Sequence, residues 1–132
     1  MGIQFEVDVR PDYVYLSCTG LFSNDALLDV YEKGITIAED KDLMAILLDI
    51  RGLGGAPMST IQRFDHGEAV PRIQLEHSSR ICLVMVGDEP MIDPERFGET
   101  VAVNRGATGK VFTDIDEAVT WLEKWIEKHK GG

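Results

Sequence analysis

The sequence predicts an α/β protein. It is expected to be one domain over residues 1–132, a mixed, mostly parallel β-sheet of about five strands with packed helices. Three observations lead there. The opening "IQFEVDVR" alternates apolar and polar residues with period two. "MAILLDI" (44–50) and "ICLVMV" (81–86) are near-continuous apolar runs of strand length, which suit strands buried on both faces. Segments of helical period stand between and after them.

Taken in order, Ile3, Phe5, Val7 and Val9 share one face of the first strand and Gln4, Glu6, Asp8 and Arg10 the other. That is the pattern of an edge-like antiparallel strand with one wet side. Pro11-Asp12 is a turn signal, and "YVYLSCT" (13–19) is the returning strand. From Ser23 the period changes: Leu27, Tyr31, Ile35 and Ala38 recur at helical spacing, with Ser23 or Asn24 as N-cap. Between the two apolar runs the spacing predicts a helix from about Ser59 to His77, interrupted near Gly67 and Pro71. After the second run, Asp93 is a helix N-cap, Pro94 takes the first helical position and Gly106 ends the helix.

"KVF" (110–112) is a short strand, and the last helix covers "DIDEAVTWLEKWIEKHK" (114–130). Asp114 and Glu117 have capping-box spacing there, and Ala118, Leu122, Trp125 and Ile126 form one apolar stripe. Lys124, Lys128 and Lys130 crowd the negative end of its dipole. The order is β-β-α-β-α-β-α-β-α, which implies right-handed crossovers and a mostly parallel sheet.

Charge narrows the partners. Twenty-three acids stand against 13 bases, a net charge of −10, so phosphate backbones and anionic membrane surfaces are repelled. Neither nucleic acid nor membrane is an expected partner. No charged-then-apolar leader opens the chain and no apolar run approaches membrane-spanning length, so a cytoplasmic location is expected. Cys18 and Cys82, each inside an apolar run, read as reduced core thiols.

The stretch "DIRGLGGAPMSTIQRF" (49–64) invites a nucleotide reading and fails it. A P-loop requires a lysine to reach the outer phosphates, and none is present. A dinucleotide fingerprint begun at Gly52 meets Pro57 where its third glycine belongs, and proline has no N–H for a phosphate. Ser59 and Gln62, by contrast, have capping-box spacing, so the stretch is a turn leading into a capped helix. Asp49, Asp88 and Glu89 fall at the ends of the two apolar strands, where open α/β sheets gather ligands. Asp49 and Asp88 have the oxygen chemistry for Mg²⁺ in a metal-assisted enzyme; a carboxylate there is otherwise a solvated loop residue or a partner for Arg51. His66, His77 and His129 match no zinc spacing and are expected as solvated helix residues. No G-x-S-x-G elbow is present, and the terminal Gly131-Gly132 follows a charged helix and is expected to fray.

"AILLDIRG", "GDEPMIDPERFGETVAVNRGA" and above all "VFTDIDEAVTWL" resemble the SpoIIAA-like group of bacterial proteins, relatives of the STAS domains of anti-sigma-factor antagonists. The resemblance spans nearly the whole chain. It implies a mixed sheet of consecutive β-α units, no cofactor, and a role in protein binding or regulation rather than catalysis. In STAS antagonists a serine at the start of the helix after the third strand is phosphorylated by a partner kinase, and Ser59 corresponds to it by position. The chain departs from that pattern at Met58, where the family has an acid, and at Thr60-Ile61-Gln62, where it has a small, glycine-rich helix start. The expected contact surface is Ser59, Thr60, Arg63 and the Arg51 loop.

A small-ligand or lipid-binding domain, through the family's broad likeness to SEC14-type carriers, is the alternative; Met58, Met91, Ile92 and Phe97 would line its pocket. A homodimer is also expected, from the open edge of the first strand and from Trp121 at the margin of the last helix's stripe.

Overall fold

The computed structural model of the chain describes residues 2–77, 81–89, 91–92, 99–100 and 108–130. Strands β1 (Ile3–Val9), β2 (Val14–Leu21), β3 (Ala45–Gly54), β4 (Cys82–Val86) and β5 (Gly109–Phe112) form one sheet in the order β1-β2-β3-β4-β5. β1 is antiparallel to β2 and the other three pairings are parallel, so the expected mixed, mostly parallel sheet is what forms. Helices α1 (Asn24–Asp40), α2 (Thr60–Glu76) and α3 (Ile115–His129) complete the described elements. The expected helix bounded by Asp93, Pro94 and Gly106 lies outside the described residues, apart from Glu99 and Thr100, which are helical.

The two apolar runs are continuous because both sides of β3 and β4 are covered. Ile46, Leu48 and Ile50 of β3, with Leu83 and Met85 of β4, pack under α1 and α2. Ala45, Leu47, Cys82, Val84 and Val86 alternate to the opposite side and meet Ala118, Leu122 and Ile126 of α3. Toward β1 the α3 side turns polar: Gln4 pairs with Thr19 and Glu6 with Ser17, all four exposed. Among the described residues no helix is long and apolar enough to cross a membrane.

Caps fall where the side chains allow them. Ser23 caps α1, its Oγ accepting the Ala26 N–H at 3.2 Å. Asp114 caps α3, its Oδ1 accepting from the amides of Asp116 (2.8 Å) and Glu117 (3.2 Å).

Two expectations change. α2 is not interrupted but runs through Pro71. Proline removes the N–H that the Gly67 carbonyl would receive, yet Val70 and Ile73 on either side are anchored in the core and hold the helix across the gap. Val7 and Val9, read as core-facing, are exposed at the far end of the edge strand, while Ile3 and Phe5 pack against the core. Trp125 packs against the Ala118, Leu122 and Ile126 stripe as read from sequence, half-buried, its ring stacked on His129 with centroids 4.1 Å apart.

Candidate functional site

The site begins with a strand that outlasts its apolar run. Thr19–Leu21 of β2 pair with Gly52–Gly54, so the first six residues of "DIRGLGGAPMSTIQRF" are strand rather than loop. Between the Ser17–Asp49 and Thr19–Gly52 pairs, β2 supplies one residue and β3 two, a bulge. A Cβ on Gly52 would stand 2.6 Å from the Cys18 carbonyl oxygen, so the two backbones come this close only because residue 52 is glycine. Gly55, at φ 100°, then turns the chain out of the sheet.

The bulge lies where Asp49 and Arg51 meet. Asp49 is 5% exposed, and its carboxylate is fully engaged. Oδ1 accepts the Arg51 amide at 3.1 Å and Arg51 Nε at 2.9 Å; Oδ2 accepts Arg51 Nη2 at 2.7 Å and the Tyr15 hydroxyl at 2.6 Å. Burial alone would push the Asp49 pKa up. The bonds from Arg51 and Tyr15, with the Arg51 charge, outweigh it and hold the carboxyl below its ordinary value. Asp49 therefore serves as the anchor of a bidentate fork, the partner role read from sequence, and its oxygens are taken up in holding Arg51. Tyr15 was not foreseen. Its signal is register: in β2 it stands two residues from Ser17, the partner of Asp49, on the same side of the sheet.

Beyond the strand ends lies a cleft of about 190 Å³ between the β3–α2 loop and the residues after β4. Ile50, Leu53, Pro57 and Met91 form apolar parts of its wall, and Arg51, Asp88 and Glu89 contribute polar groups. Asp88, Glu89 and Arg51 share the lining of this cleft, while Asp49 is outside it. Among the described residues no group of three or more His, Cys, Asp or Glu side chains could hold a metal ion. Of the apolar residues named for a ligand pocket, Met91 lines the cleft, Met58 is half-buried outside it and Ile92 belongs to the core. Phe97 lies outside the described residues.

Ser59 is the N-cap of α2 with both halves of a capping box: Ser59 Oγ accepts the Gln62 N–H at 3.2 Å, and Gln62 Oε1 accepts the Ser59 N–H at 2.9 Å. Ser59 and Thr60 are exposed, Arg63 is half-buried, and none of the three lines the cleft.

The sequence reading missed Ile61 and Phe64. Ile61 is 74% and Phe64 38% exposed, and Leu21, at the end of β2, is 61% exposed. The available signal was angular, since Phe64 stands nine residues before buried Ile73, about half a turn round the helix.

His66 corrects an expectation. It is buried, 8% exposed, with Nδ1 2.9 Å from Asn24 Oδ1 at the start of α1, because the helix phase turns it toward α1 rather than solvent. Burial lowers its pKa from 6.5 to about 4. His77 is half-buried with Nδ1 3.2 Å from Glu39 Oε1, and His129 is exposed. Burial pushes both thiols, Cys18 and Cys82, up to about 12, which suits unreactive core residues.

No protein-family model and no curated protein sequence matches the chain. Solved structures do. An anti-sigma factor antagonist from Mycobacterium paratuberculosis superposes with a TM-score of 0.57 at 12% identity, over 92% of this chain and 94% of that one. An uncharacterised protein with a SpoIIAA-like fold from Shewanella loihica superposes with a TM-score of 0.50 at 18% identity, over 92% and 93%. The chain has the SpoIIAA-like, STAS-type fold.

Proposed function

We infer that the chain is a non-catalytic, STAS-like regulatory module of a bacterial cytoplasm. It binds a protein partner with the carboxyl end of its sheet and the first turns of α2. The observation that carries this reading is the exposed apolar set Leu21, Ile61 and Phe64 around that end, next to Ser59, Thr60 and Arg63. Large apolar side chains exposed among polar ones are what protein interfaces use. The fold shared with an anti-sigma factor antagonist supports the same reading.

The chemistry at the site also favours binding over catalysis. The strand-end acid Asp49 is locked to Arg51 and Tyr15, and the thiols are buried. This cleft of the described residues does not favour a lipid or other bulky apolar ligand, because at about 190 Å³ it is smaller than the roughly 300–1,000 Å³ of pockets that bury such molecules.

The test is affinity capture from a lysate of the source cells with the wild-type chain and with Ile61→Asp, read beside a native mass spectrum of each. Capture of one protein by the wild type, lost in Ile61→Asp while the melting temperature holds, is the expected result. No captured protein, together with a small molecule copurifying in the native spectrum, would overturn it.

A further inference from the structure

The surface around α2 is apolar, but the cleft beside it carries charge. Arg51 lends little of it, because its Nε and Nη2 both face the Asp49 carboxylate and the pair is close to neutral. Among the described residues, what remains are Asp88 and Glu89, both exposed, which share the lining with the apolar Leu53, Pro57 and Met91. A lining that combines apolar side chains with two carboxylates matches one kind of side chain, a long alkyl stem ending in a cation.

We propose that this cleft receives an arginine or lysine side chain of the partner protein, its stem on Leu53 and Met91 and its cation at Asp88 and Glu89. This rests on the reading that the chain binds a protein at this end of the sheet. Other occupants fit worse. A phosphate or carboxylate would face both acids, and Pro57 offers it no N–H. A divalent cation finds no set of three ligands among the described residues. A net charge of −10 also steers a basic surface toward the chain from a distance.

The probe is N-acetyl-arginine methylamide, followed by amide chemical shifts of the full chain, with the citrulline analogue as its uncharged match. A fragment of this size binds on the order of millimolar. Saturable shifts at Gly55, Asp88, Glu89 and Met91 are expected, weakened about tenfold in Asp88→Asn/Glu89→Gln, a loss of about 1.4 kcal/mol. Asp88 and Glu89 are exposed, so the double variant should melt as the wild type does. Glu123→Gln/Glu127→Gln, which removes the same charge from exposed positions of α3, should bind as the wild type.

Equal binding of citrulline, or equal weakening by the α3 variant, would overturn the proposal. A captured partner that binds Asp88→Asn/Glu89→Gln as tightly as the wild type would also overturn it and leave the protein-binding reading standing. Arginine bound in the cleft, with no partner captured, would overturn that reading and leave the preference of the cleft for a basic side chain intact.

Discussion

α1 and α2 are each 17 residues long, each begins on a serine cap, and both cover the same side of the sheet. They are nonetheless built differently. α1 buries Leu27, Val30, Tyr31, Ile35 and Ala38 in one stripe. It also rides so close to the sheet that a Cβ on Gly34 would stand 2.6 Å from Leu16 Cδ1. α2 buries His66, Pro71 and Gln74 among its apolar contacts and leaves Ile61, Phe64 and Leu75 exposed.

Gln74 shows what the polar burial does. Its Nε2 donates to the Ile81 carbonyl at 2.8 Å and to the Thr108 carbonyl at 3.3 Å, while its Oε1 accepts the Thr108 N–H at 3.3 Å. One side chain thus ties α2 to the segments entering β4 and β5. A helix held by specific polar attachments can leave apolar residues on its outer face. α1 is a packing element; α2 is an attachment that presents a surface.

The largest test of this contrast is Ile35→Ala. Ile35 is fully buried, so its truncation should cost about 2–5 kcal/mol in urea unfolding, while Ile61→Ala in α2 should stay within about 0.5 kcal/mol. Similar losses at both positions would erase the distinction.

The next concerns pH. His66 has a folded pKa of about 4 against 6.5 unfolded, so the unfolded chain takes up the proton first as the medium acidifies. Its contribution is whole above pH 6.5 and is lost as pH falls toward 4, by roughly 3 kcal/mol at about 1.4 kcal/mol per pH unit. Asp49, held below its ordinary value, acts in the same direction in a lower window. Its contribution is present above the ordinary carboxylate pKa and lost as pH drops through the folded one. Denaturant titrations at stepped pH should show the upper window flattened in His66→Gln and the lower one kept. An unchanged slope in that variant would place the titration elsewhere.

Gln74→Met keeps the volume and removes the bonds. It should cost about 1–3 kcal/mol through the stranded Ile81 and Thr108 groups, and hydrogen exchange should rise at Thr108. No change in either would mean that α2 is held by packing, as α1 is.

The smallest effect separates the caps. Ser59→Ala should cost about 0.5–2 kcal/mol, and more than Ser23→Ala, because Ser59 belongs to a complete capping box. Ser59→Asp should melt near the wild type and still capture the partner, since aspartate caps well and favours the positive end of the dipole. Loss of the partner in a folded Ser59→Asp would show that Ser59 is a switch as well as a cap.

What the sequence determined by itself was whatever rests on local period. Strict alternation placed β1 at an edge, the two apolar runs placed β3 and β4 in the middle, and serine and aspartate at fixed offsets placed the caps of α2 and α3 and narrowed that of α1 to Ser23 or Asn24. These signals are short-range: a side chain's face follows from its position in its own element, and a cap from its neighbours three residues on.

Only the tertiary structure decided what depends on a partner distant in sequence. β3 runs to Gly54 because β2 continues beside it, and Pro71 stays helical because Val70 and Ile73 are anchored in the core. His66 is buried because Asn24, 42 residues earlier, stands against it. Asp49 is an anchor rather than a free acid because Tyr15, 34 residues away, arrives through the sheet register. The free energy of each such group is set by desolvation and by bonds across the fold, and neither can be read from the residues on either side of it.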